Sequence, residues 1–560
     1  MSSAVRSLPP ALLALLLAVA MNLTNLFEPL TVDDVCHQYY AAQVAREPLA
    51  PFEFEIDWHQ KPVAAWDVMV APVTSYWWAP AIALFGDSPV AWKAWFLPAQ
   101  WLFCFALLAL VRRLLRPGPA FLLVAAIALG PAVLPGLNLM LEVPVLSLGF
   151  ASLAVFLRAG DRRSLVAAVG AGLLFGLAFQ TKYSAMGFFA PWVCVGVLRR
   201  NWRELAIGLS TAVAVALGIE CLLSWSHGGG SYFLRQLELT QLRDWRHLGK
   251  GLLAQVGVLG LPAALLLLHG LGCAKVWGRA LLAVHVLAWG VIAWVPDVDS
   301  LGISDLALDS IAYLATTATT WGVLAVAFGR LGWTALVRLR HRRCGRSFAV
   351  RAFLCAWFVA EIAASLVVSP FPAARRVLLV VLAATVVGGW FAVRRRGGAA
   401  LLGRVAALSV GLGLSFQGID YLEGRACVVA TQQAADYAAQ RDPRATVWFT
   451  GGWGFEYYAP RAGMRPLARG RSEVKQGDWI MIGSLDGAEE PWFHWNGRIE
   501  LQQEIGVGDA VPWSLLFGYY SGSRPLDGQR GPRFVVWVYR ALEDFHAADL
   551  QSRVNPWRDH

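Results

Sequence analysis

The sequence predicts a mainly α-helical bundle that crosses a membrane many times and carries a small C-terminal α/β or α+β domain. Of its 560 residues, 57% are hydrophobic and 15% are charged, whereas a soluble domain carries about 25% charged residues. Apolar runs long enough to span a bilayer as helices recur as far as residue 416. Beyond it, short strand-like runs alternate with Gly, Pro and Asp, which is typical of strands and turns.

The apolar runs, separated by polar residues and helix breakers, predict about thirteen spans. They lie at 8–29, 93–113, 119–140, 143–158, 164–180, 183–198, 204–225, 251–272, 279–295, 309–333, 352–369, 375–393 and 399–416. Loops rich in arginine alternate with loops rich in acids, and basic loops face the cytoplasm. We therefore expect a multi-pass protein of the plasma (inner) membrane with a cytoplasmic N-terminus and a C-terminal domain outside the cytoplasm.

The net charge of +10 reflects this loop pattern, so no nucleic-acid partner is expected. The eight cysteines lie mostly inside apolar runs and indicate no disulfide framework. The chain carries no P-loop, GxGxxG or HExxH motif. His37 and His59 lack the spacing of metal ligands, and the motifs therefore predict no metal site.

Two domains are expected, a transmembrane domain at 1–416 and an extracytoplasmic domain at 417–560. The first outer loop, 30–92, is too long and too aromatic to be a simple connector. Its segments "DDVCHQYYAAQVARE" and "VTSYWWAPAIALFG" predict amphipathic helices at the membrane surface. Tyr76, in the second segment, suits the aromatic belt at that depth.

Carboxylates at the outer membrane edge are the first candidates for chemistry. Asp33 and Asp34 stand where the chain leaves the first apolar run, and Glu142 opens a later one. Thr31 and Asp34 have the spacing of a capping box, which is the purely structural interpretation. A capped helix also fixes a carboxylate where it can act as a general base. Glu142 either ends its loop or faces the first pair, sharing a metal ion or dividing acid and base roles.

Cations on the predicted outer side form a second candidate group, since the positive-inside rule does not explain them. They are Lys61, Lys182, Arg243, Arg246, Arg375 and Arg376. They are either lipid-headgroup anchors or a clamp for phosphate, for which arginine offers bidentate geometry. Glu361 and other single ionisable residues within apolar runs favour helix packing over a transport pathway, which would need a midplane cluster.

Three segments resemble the GT-C membrane glycosyltransferases. They are "VDDVCHQYYAAQVARE", "NLMLEVPVLSLGFASLAVFLRA" and "LLFGLAFQTKYSA". The resemblance is to the glycosyltransferase family 39-like branch of protein O-mannosyltransferases and aminoarabinose transferases, and it extends over 8–416. It implies an inverting glycosyltransferase that moves a sugar from a polyprenyl-phosphate donor in the membrane lipid to an extracytoplasmic lipid, glycan or protein.

The resemblance also implies residue roles. Asp33 would be the catalytic carboxylate and Asp34 its neighbour on the acceptor or metal side, while Glu142 stands where the family usually has Asp. Lys182, Arg375 and Arg376 would hold the donor phosphate. His37, Tyr40 and Tyr76 are expected in the substrate pocket. No cofactor is required; a divalent metal ion at Asp33, Asp34 and Glu142 is the alternative.

One departure concerns the donor. Relatives carry a lysine in the first outer loop that meets the donor phosphate, and Val70 occupies the comparable place here. Lys61 lies close by in sequence and is the expected substitute.

Two other functions fit parts of the pattern. A transporter or flippase of lipid-linked sugars would share the cations but would need no outer base. A non-catalytic relative would use its C-terminal domain for assembly or recognition. Replacing Asp33 with Asn separates these functions, because only a transferase depends on the carboxylate for turnover.

Overall fold

The computed structural model describes residues 8–58, 61–68, 71–239, 244–294, 303–341, 345–468, 471–484, 493–494, 497–547 and 551–552. Most of these residues are helical. The helices are α1 (Pro10–Asn25), α2 (Asp34–Arg46), α3 (Pro72–Phe85), α4 (Pro89–Ala94), α5 (Leu97–Val111), α6 (Pro117–Ala128), α7 (Glu142–Arg162), α8 (Leu165–Phe179), α9 (Phe189–Arg199), α10 (Trp202–Ser226), α11 (Tyr232–Leu239), α12 (Trp245–Leu259), α13 (Leu261–Leu271), α14 (Ala274–Trp294), α15 (Ile303–Arg340), α16 (Arg346–Val368), α17 (Leu378–Ala392), α18 (Gly398–Arg441), α19 (Gly454–Arg461) and α20 (Leu516–Tyr520). Short 3-10 helices lie at Ala65–Asp67, Tyr183–Phe188 and Ala374–Arg376.

Strands occur in the first outer loop and in the C-terminal region. They are β1 (Glu55–Trp58), β2 (Lys61–Ala64), β3 (Val447–Thr450), β4 (Arg465–Pro466), β5 (Glu473–Val474), β6 (Trp479–Gly483), β7 (Phe493–His494), β8 (Ile499–Val507), β9 (Trp513–Ser514), β10 (Asp527–Gly528), β11 (Phe534–Ala541), β12 (Phe545–His546) and β13 (Gln551–Ser552). The predicted class, a helical membrane bundle with a C-terminal strand-containing region, is confirmed.

Seven helices among the described residues are long and apolar enough to cross a membrane. They lie within Pro89–Val111, Glu142–Arg162, Trp202–Ser226, Ala274–Trp294, Leu308–Arg340, Ser347–Val367 and Gly398–Arg441. Helices α12 and α13, bent by 70° at their junction, make an eighth if they count as one span. The multi-pass prediction is confirmed, but the count of about thirteen spans is not.

Several predicted spans are shorter in the structure because helix breakers interrupt the apolar runs. Helices α1, α6, α8 and α17 are apolar but have fewer than 18 residues. Gly130 and Pro131 follow the end of α6, and Gly260 and Pro262 flank the bend between α12 and α13. Hydropathy alone therefore overestimates span length where Gly and Pro interrupt the helical hydrogen-bond pattern.

The first outer loop folds as a compact unit on the bundle. Helix α2 follows directly on α1 by a short turn, and β1 pairs antiparallel with β2. An aromatic cluster holds this loop together: Tyr40 packs edge-on against Phe52, and Phe52 stacks on Tyr232 at 4.8 Å between ring centroids. The Tyr40 hydroxyl donates to the Ala65 carbonyl. These contacts connect the middle of α2 to the rest of the loop.

The C-terminal region contains a five-stranded mixed sheet in the order β4-β3-β6-β11-β8. Strand β3 is parallel to β4 and β6, whereas β11 is antiparallel to β6 and β8. The sheet packs on the second half of α18 through a stripe of small residues, Ala426, Ala430, Ala434 and Ala438. Helix α18 thus continues unbroken through residue 417, the predicted domain border.

A segment between β8 and β11 returns from this sheet to the bundle. Gln255 in α12 donates to the carbonyls of Gly518 and Gly522. Arg524 pairs with Asp309 in α15. Helix α20 lies within this segment, beside the 3-10 turn Ala374–Arg376. The C-terminal region therefore contacts one end of the bundle directly.

Candidate active site

Charged side chains from four separate segments converge at one end of the bundle. Asp33 precedes α2, Glu142 is the first residue of α7, Lys182 follows α8, and Arg375 belongs to the 3-10 turn before α17. Each lies at an element terminus, where the chain reverses direction. Segments distant in sequence can therefore bring opposite charges together in one place.

Asp33 forms an ion pair with Arg375. The Asp33 Oδ2 accepts a hydrogen bond from the Arg375 guanidinium at 2.7 Å. Burial opposes ionisation of Asp33, but Arg375 and the other nearby cations outweigh it and lower the pKa of this carboxyl below its ordinary value. Asp33 is thus an ionised carboxylate, with its side chain 22% exposed.

Arg375 is held on two further sides. Its Nε donates to the Tyr520 carbonyl at 3.0 Å, and its guanidinium lies 3.6 Å from the Met140 sulfur. The guanidinium also lies over the Tyr520 ring. Arg375 is therefore oriented by α20 of the C-terminal region as well as by Asp33.

Glu142 and Lys182 form the second ion pair, and both side chains are largely buried. Burial lowers the pKa of Lys182 to about 8 against the attraction of Glu142. The second oxygen of Glu142, Oε2, is buried without a hydrogen-bond partner among the described residues. This pair therefore leaves an acceptor atom available to a bound molecule.

A small cavity of about 50 Å³, partly open to solvent, lies beside these pairs. Glu142, Lys182, Arg375 and Arg376 line it. Burial and the neighbouring Arg375 lower the pKa of Arg376 to about 9. Its Nε is buried without a partner among the described residues, while its guanidinium lies over the Phe371 ring at 4.1 Å. Three cations thus face one space, with Asp33 held next to it through Arg375.

Asp34 has a different environment from Asp33. It is fully buried, and its two oxygens accept from the backbone N–H groups of Thr31 and Leu139, each at 2.9 Å. The Thr31 bond is the one a capping box would supply. Burial raises the pKa of Asp34 to about 7. Asp34 fixes the start of α2 to the segment before α7 and does not line the cavity.

A buried network of hydrogen bonds ends at Thr31, whose backbone N–H donates to Asp34. The Lys93 ammonium donates to the Glu28 carbonyl at 2.6 Å and to Asn138 at 2.7 Å, and Asn138 donates to Thr31. Burial raises the pKa of Glu28 to about 7. This network joins α4, the end of the first apolar run and the segment before α7, and so stabilises the position of α2.

The remaining predicted site residues lie farther from the cavity. His37 is buried beside Trp78, and burial lowers its pKa to about 4, so its imidazole is neutral at pH 7. Tyr40 is fully buried in the loop cluster, and the Tyr76 hydroxyl donates to the Pro48 carbonyl. None of these three lines the cavity. His37 is nevertheless close enough to influence the charges of Asp33 and Glu142.

Of the other predicted cations, only Arg246 has a described side chain, and it does not line the cavity. Arg246 is exposed at the start of α12. Lys61 lies in β2, but its side chain is outside the described residues, as are Arg243 and Val70. Among the predicted cations with described side chains, those that line the cavity are Lys182, Arg375 and Arg376.

A metal ion does not fit the three acids as they stand. Asp33 already pairs with Arg375 and Glu142 with Lys182, while Asp34 is closed in by backbone N–H groups. In the part of the chain that the structure describes, no group of three or more His, Cys, Asp or Glu side chains could hold a metal.

Sequence reasoning missed two contributors to the site. Tyr520 comes from the C-terminal region, whose strand-like pattern carried no sign of contact with the bundle. Glu361 in α16 also lines the cavity, although a single acid in an apolar run favoured helix packing. The sequence contained a clue to the position of Glu361. Ser365 and Ser369 follow it at helical spacing, which predicts one polar helix face, and all three residues line the same cavity.

No protein-family model and no curated protein matches the sequence. Solved structures do resemble it. An oligosaccharyltransferase of Archaeoglobus fulgidus in complex with Zn and sulfate has a TM-score of 0.45 and 12% identity, over 85% of this chain and 68% of that chain. AglB of the same organism, with an inhibitory peptide and a dolichol-phosphate, has a TM-score of 0.42 and 11% identity, over 84% and 69%.

ArnT from Cupriavidus metallidurans has a TM-score of 0.35 and 14% identity, over 84% of this chain and 92% of that chain. All three TM-scores are below 0.5 and the identities are at most 14%, so these neighbours do not determine the family or the activity of this chain.

Proposed function

We propose that this chain is an inverting glycosyltransferase of the plasma (inner) membrane. It transfers a sugar from a polyprenyl-phosphate donor to a lipid, glycan or protein acceptor outside the cytoplasm. The observation that carries the proposal is the cavity with Lys182, Arg375 and Arg376 in its wall and the ionised Asp33 paired to one of these cations. The proposed phosphate-binding cations and the proposed base, Asp33, are therefore adjacent.

Asp33 acts as the general base in this proposal. The acceptor hydroxyl oxygen attacks the anomeric carbon while the bond from that carbon to the phosphate oxygen breaks. The hydroxyl proton passes to the Asp33 carboxylate. The polyprenyl phosphate leaves as an anion, so no acid is needed to protonate it. A base in this position contributes roughly 10²- to 10⁴-fold to the rate.

Lys182, Arg375 and Arg376 stabilise the departing phosphate. Fixed positive charges aimed at developing negative charge are commonly the largest contribution to catalysis. In the structure Arg375 is shared with Asp33. A donor phosphate that takes over part of this guanidinium leaves Asp33 less neutralised and more basic. Donor binding would thereby activate the base before the acceptor hydroxyl reacts.

The test uses cells that lack this chain and are complemented with variants. Mass spectrometry of cell-envelope glycolipids and glycans compares the wild type with Asp33→Asn. We expect the wild type to restore a glycosylated species and Asp33→Asn to lose it, while the purified variant still retains a photoreactive polyprenyl-phosphate probe. Asp436→Asn, an exposed aspartate in α18, is the matched control and should behave as the wild type.

Two outcomes would overturn the proposal. If Asp33→Asn restores the species fully, the chain needs no outer base, and a flippase of lipid-linked sugars accounts for the cations better. If the wild type changes no envelope glycan or glycolipid, the chain is a non-catalytic relative. Equal amounts of each variant in the membrane exclude a folding defect as the cause.

A further inference from the structure

A second cavity lies at the far end of the bundle from the candidate active site. It is lined by the last turns of α5, α7 and α9 and by the first half of α16. Its volume is about 660 Å³, and it is partly open to solvent. Glu142 lines the first cavity and Asp161 the second, and both belong to α7. Nineteen residues of helix separate them by about 28 Å, which is close to the roughly 30 Å of a bilayer core.

The mouth of this second cavity is positively charged. Arg112, Arg113 and Arg199 line it together with Asp161. Arg113 and Arg199 share the one carboxylate, at 2.7 and 2.6 Å. Three guanidinium groups against one carboxylate leave an excess of positive charge, and Arg112 is exposed at the rim.

The interior of the cavity is apolar. Its lining below the arginines includes Leu107, Leu153, Leu157, Phe353, Trp357 and Val386. From Gly345 to Trp357, both lining residues, α16 follows the cavity for about 18 Å along its axis. Its volume of about 660 Å³ lies within the roughly 300–1,000 Å³ of ordinary small-molecule pockets and is several times that of a small anion. A small soluble anion would leave most of this apolar surface uncovered.

We propose that this cavity is a binding site for an anionic phospholipid of the leaflet opposite the candidate active site. The phosphate lies at Arg112, Arg113 and Arg199, and an acyl chain extends along α16 to Trp357. Basic pockets between helices at the cytoplasmic side of membrane proteins suit anionic headgroups. The arginine-rich loops that predict a cytoplasmic face surround this mouth.

The deep end of the lipid site adjoins the candidate active site. The Trp357 indole donates to Glu361 at 2.9 Å, one helical turn farther along α16, and Glu361 lines the first cavity. An acyl chain that ends against Trp357 therefore lies next to the residue that donates a hydrogen bond to Glu361 in the wall of the first cavity. The lipid proposal itself requires no transferase activity.

The test is native mass spectrometry of the purified full-length chain after incubation with equal amounts of phosphatidylglycerol and phosphatidylcholine. We expect phosphatidylglycerol to be retained in preference. Arg112→Gln should lower this retention about fivefold, the effect of one basic residue near an anionic headgroup. Arg116→Gln is the matched control, because Arg116 is an exposed arginine of the same loop that does not line the cavity.

A second variant tests the apolar part. Leu157→Trp fills the space below the arginines and should reduce retention of both lipids, while an unchanged melting temperature shows that the chain is folded. Equal retention of the two lipids by the wild type would overturn the proposal. So would equal losses in Arg112→Gln and Arg116→Gln, which would indicate a diffuse surface attraction. Because lipid retention is the readout, this test is independent of the transferase proposal.

Discussion

Asp33 owes its charge to Arg375, and this dependence predicts a change in pH profile. Burial alone would raise the pKa of Asp33, and Arg375 is the first of the charges that lower it. Arg375→Gln should therefore raise the pKa of Asp33, because the largest of the charges that lower it is removed. A base works only when ionised, so activity is lost as pH falls through this pKa. The acid limb of the normalised pH–rate profile of the variant should lie at higher pH than that of the wild type.

Arg376→Gln is the control for this prediction. Arg376 lines the same cavity but influences Asp33 less than Arg375 does. Both variants lose one phosphate-binding cation, and both should lose rate. Only Arg375→Gln should shift the acid limb strongly. Equal shifts in the two variants, or none in Arg375→Gln, would show that Asp33 is not the group that titrates.

Residue identity predicted part of the site, for a physical reason. Cations on the predicted outer side are not explained by the positive-inside rule, so Lys182, Arg375 and Arg376 stood out in the sequence. The sequence did not reveal that Asp33 and Asp34 have different environments, because two adjacent acids can be told apart only once the partners of each are known. Asp34 accepts hydrogen bonds from the backbone N–H groups of Thr31 and Leu139. Leu139 lies too far along the chain for the local sequence to reveal this contact.

At the scale of elements, α18 carries a prediction of its own. This 44-residue helix crosses the bundle and continues beneath the C-terminal sheet. Ala434 is fully buried there, facing β11, whereas Ala439 is exposed on the same helix. Ala434→Leu should overpack this contact and cost about 1–3 kcal/mol. Its melting temperature should fall below that of the wild type.

Ala439→Leu is the matched substitution, with the same added volume on the solvent side. It should leave the melting temperature nearly unchanged. If both variants melt alike, the sheet does not pack on α18 through its alanine stripe. The comparison isolates packing from helix propensity, because Ala and Leu are both good helix formers.

Some elements could be predicted from hydropathy and others could not. The run 204–225 and helix α10 agree closely because no Gly-Pro break or turn interrupts this helix. The run 399–416 underestimates α18, since its continuation past the apolar stretch is amphipathic and alanine-rich. Periodicity could reveal that continuation, but a hydropathy threshold cannot. The count of about thirteen spans is not confirmed, because apolar composition persists through breaks that end a helix.

At the scale of the whole molecule, one buried arginine joins the C-terminal region to the candidate active site. Arg533, at the start of β11, contacts Asp509 at 2.5 and 3.0 Å and Glu423 of α18 at 3.4 Å. Glu423 in turn accepts from the backbone N–H groups of Leu515 and Leu516. These residues begin α20, whose Tyr520 carbonyl holds Arg375. Distant parts of the chain thus determine the orientation of the proposed phosphate clamp.

Arg533→Met should disable this connection. Removing one partner of a buried ion pair typically costs about 3–5 kcal/mol, because the remaining charges stay buried without compensation. We expect faster proteolysis of the segment 509–528 and a large loss of activity, while the chain stays in the membrane.

Arg533→Lys should restore little of this activity, since one ammonium cannot replace the forked guanidinium contacts to Asp509, Glu423 and two carbonyls. Arg540→Met is the control: Arg540 pairs with Asp442 near the surface, where such a pair contributes about 0–1 kcal/mol. If Arg533→Met keeps wild-type activity, α20 does not position Arg375, and the site is built by the membrane bundle alone.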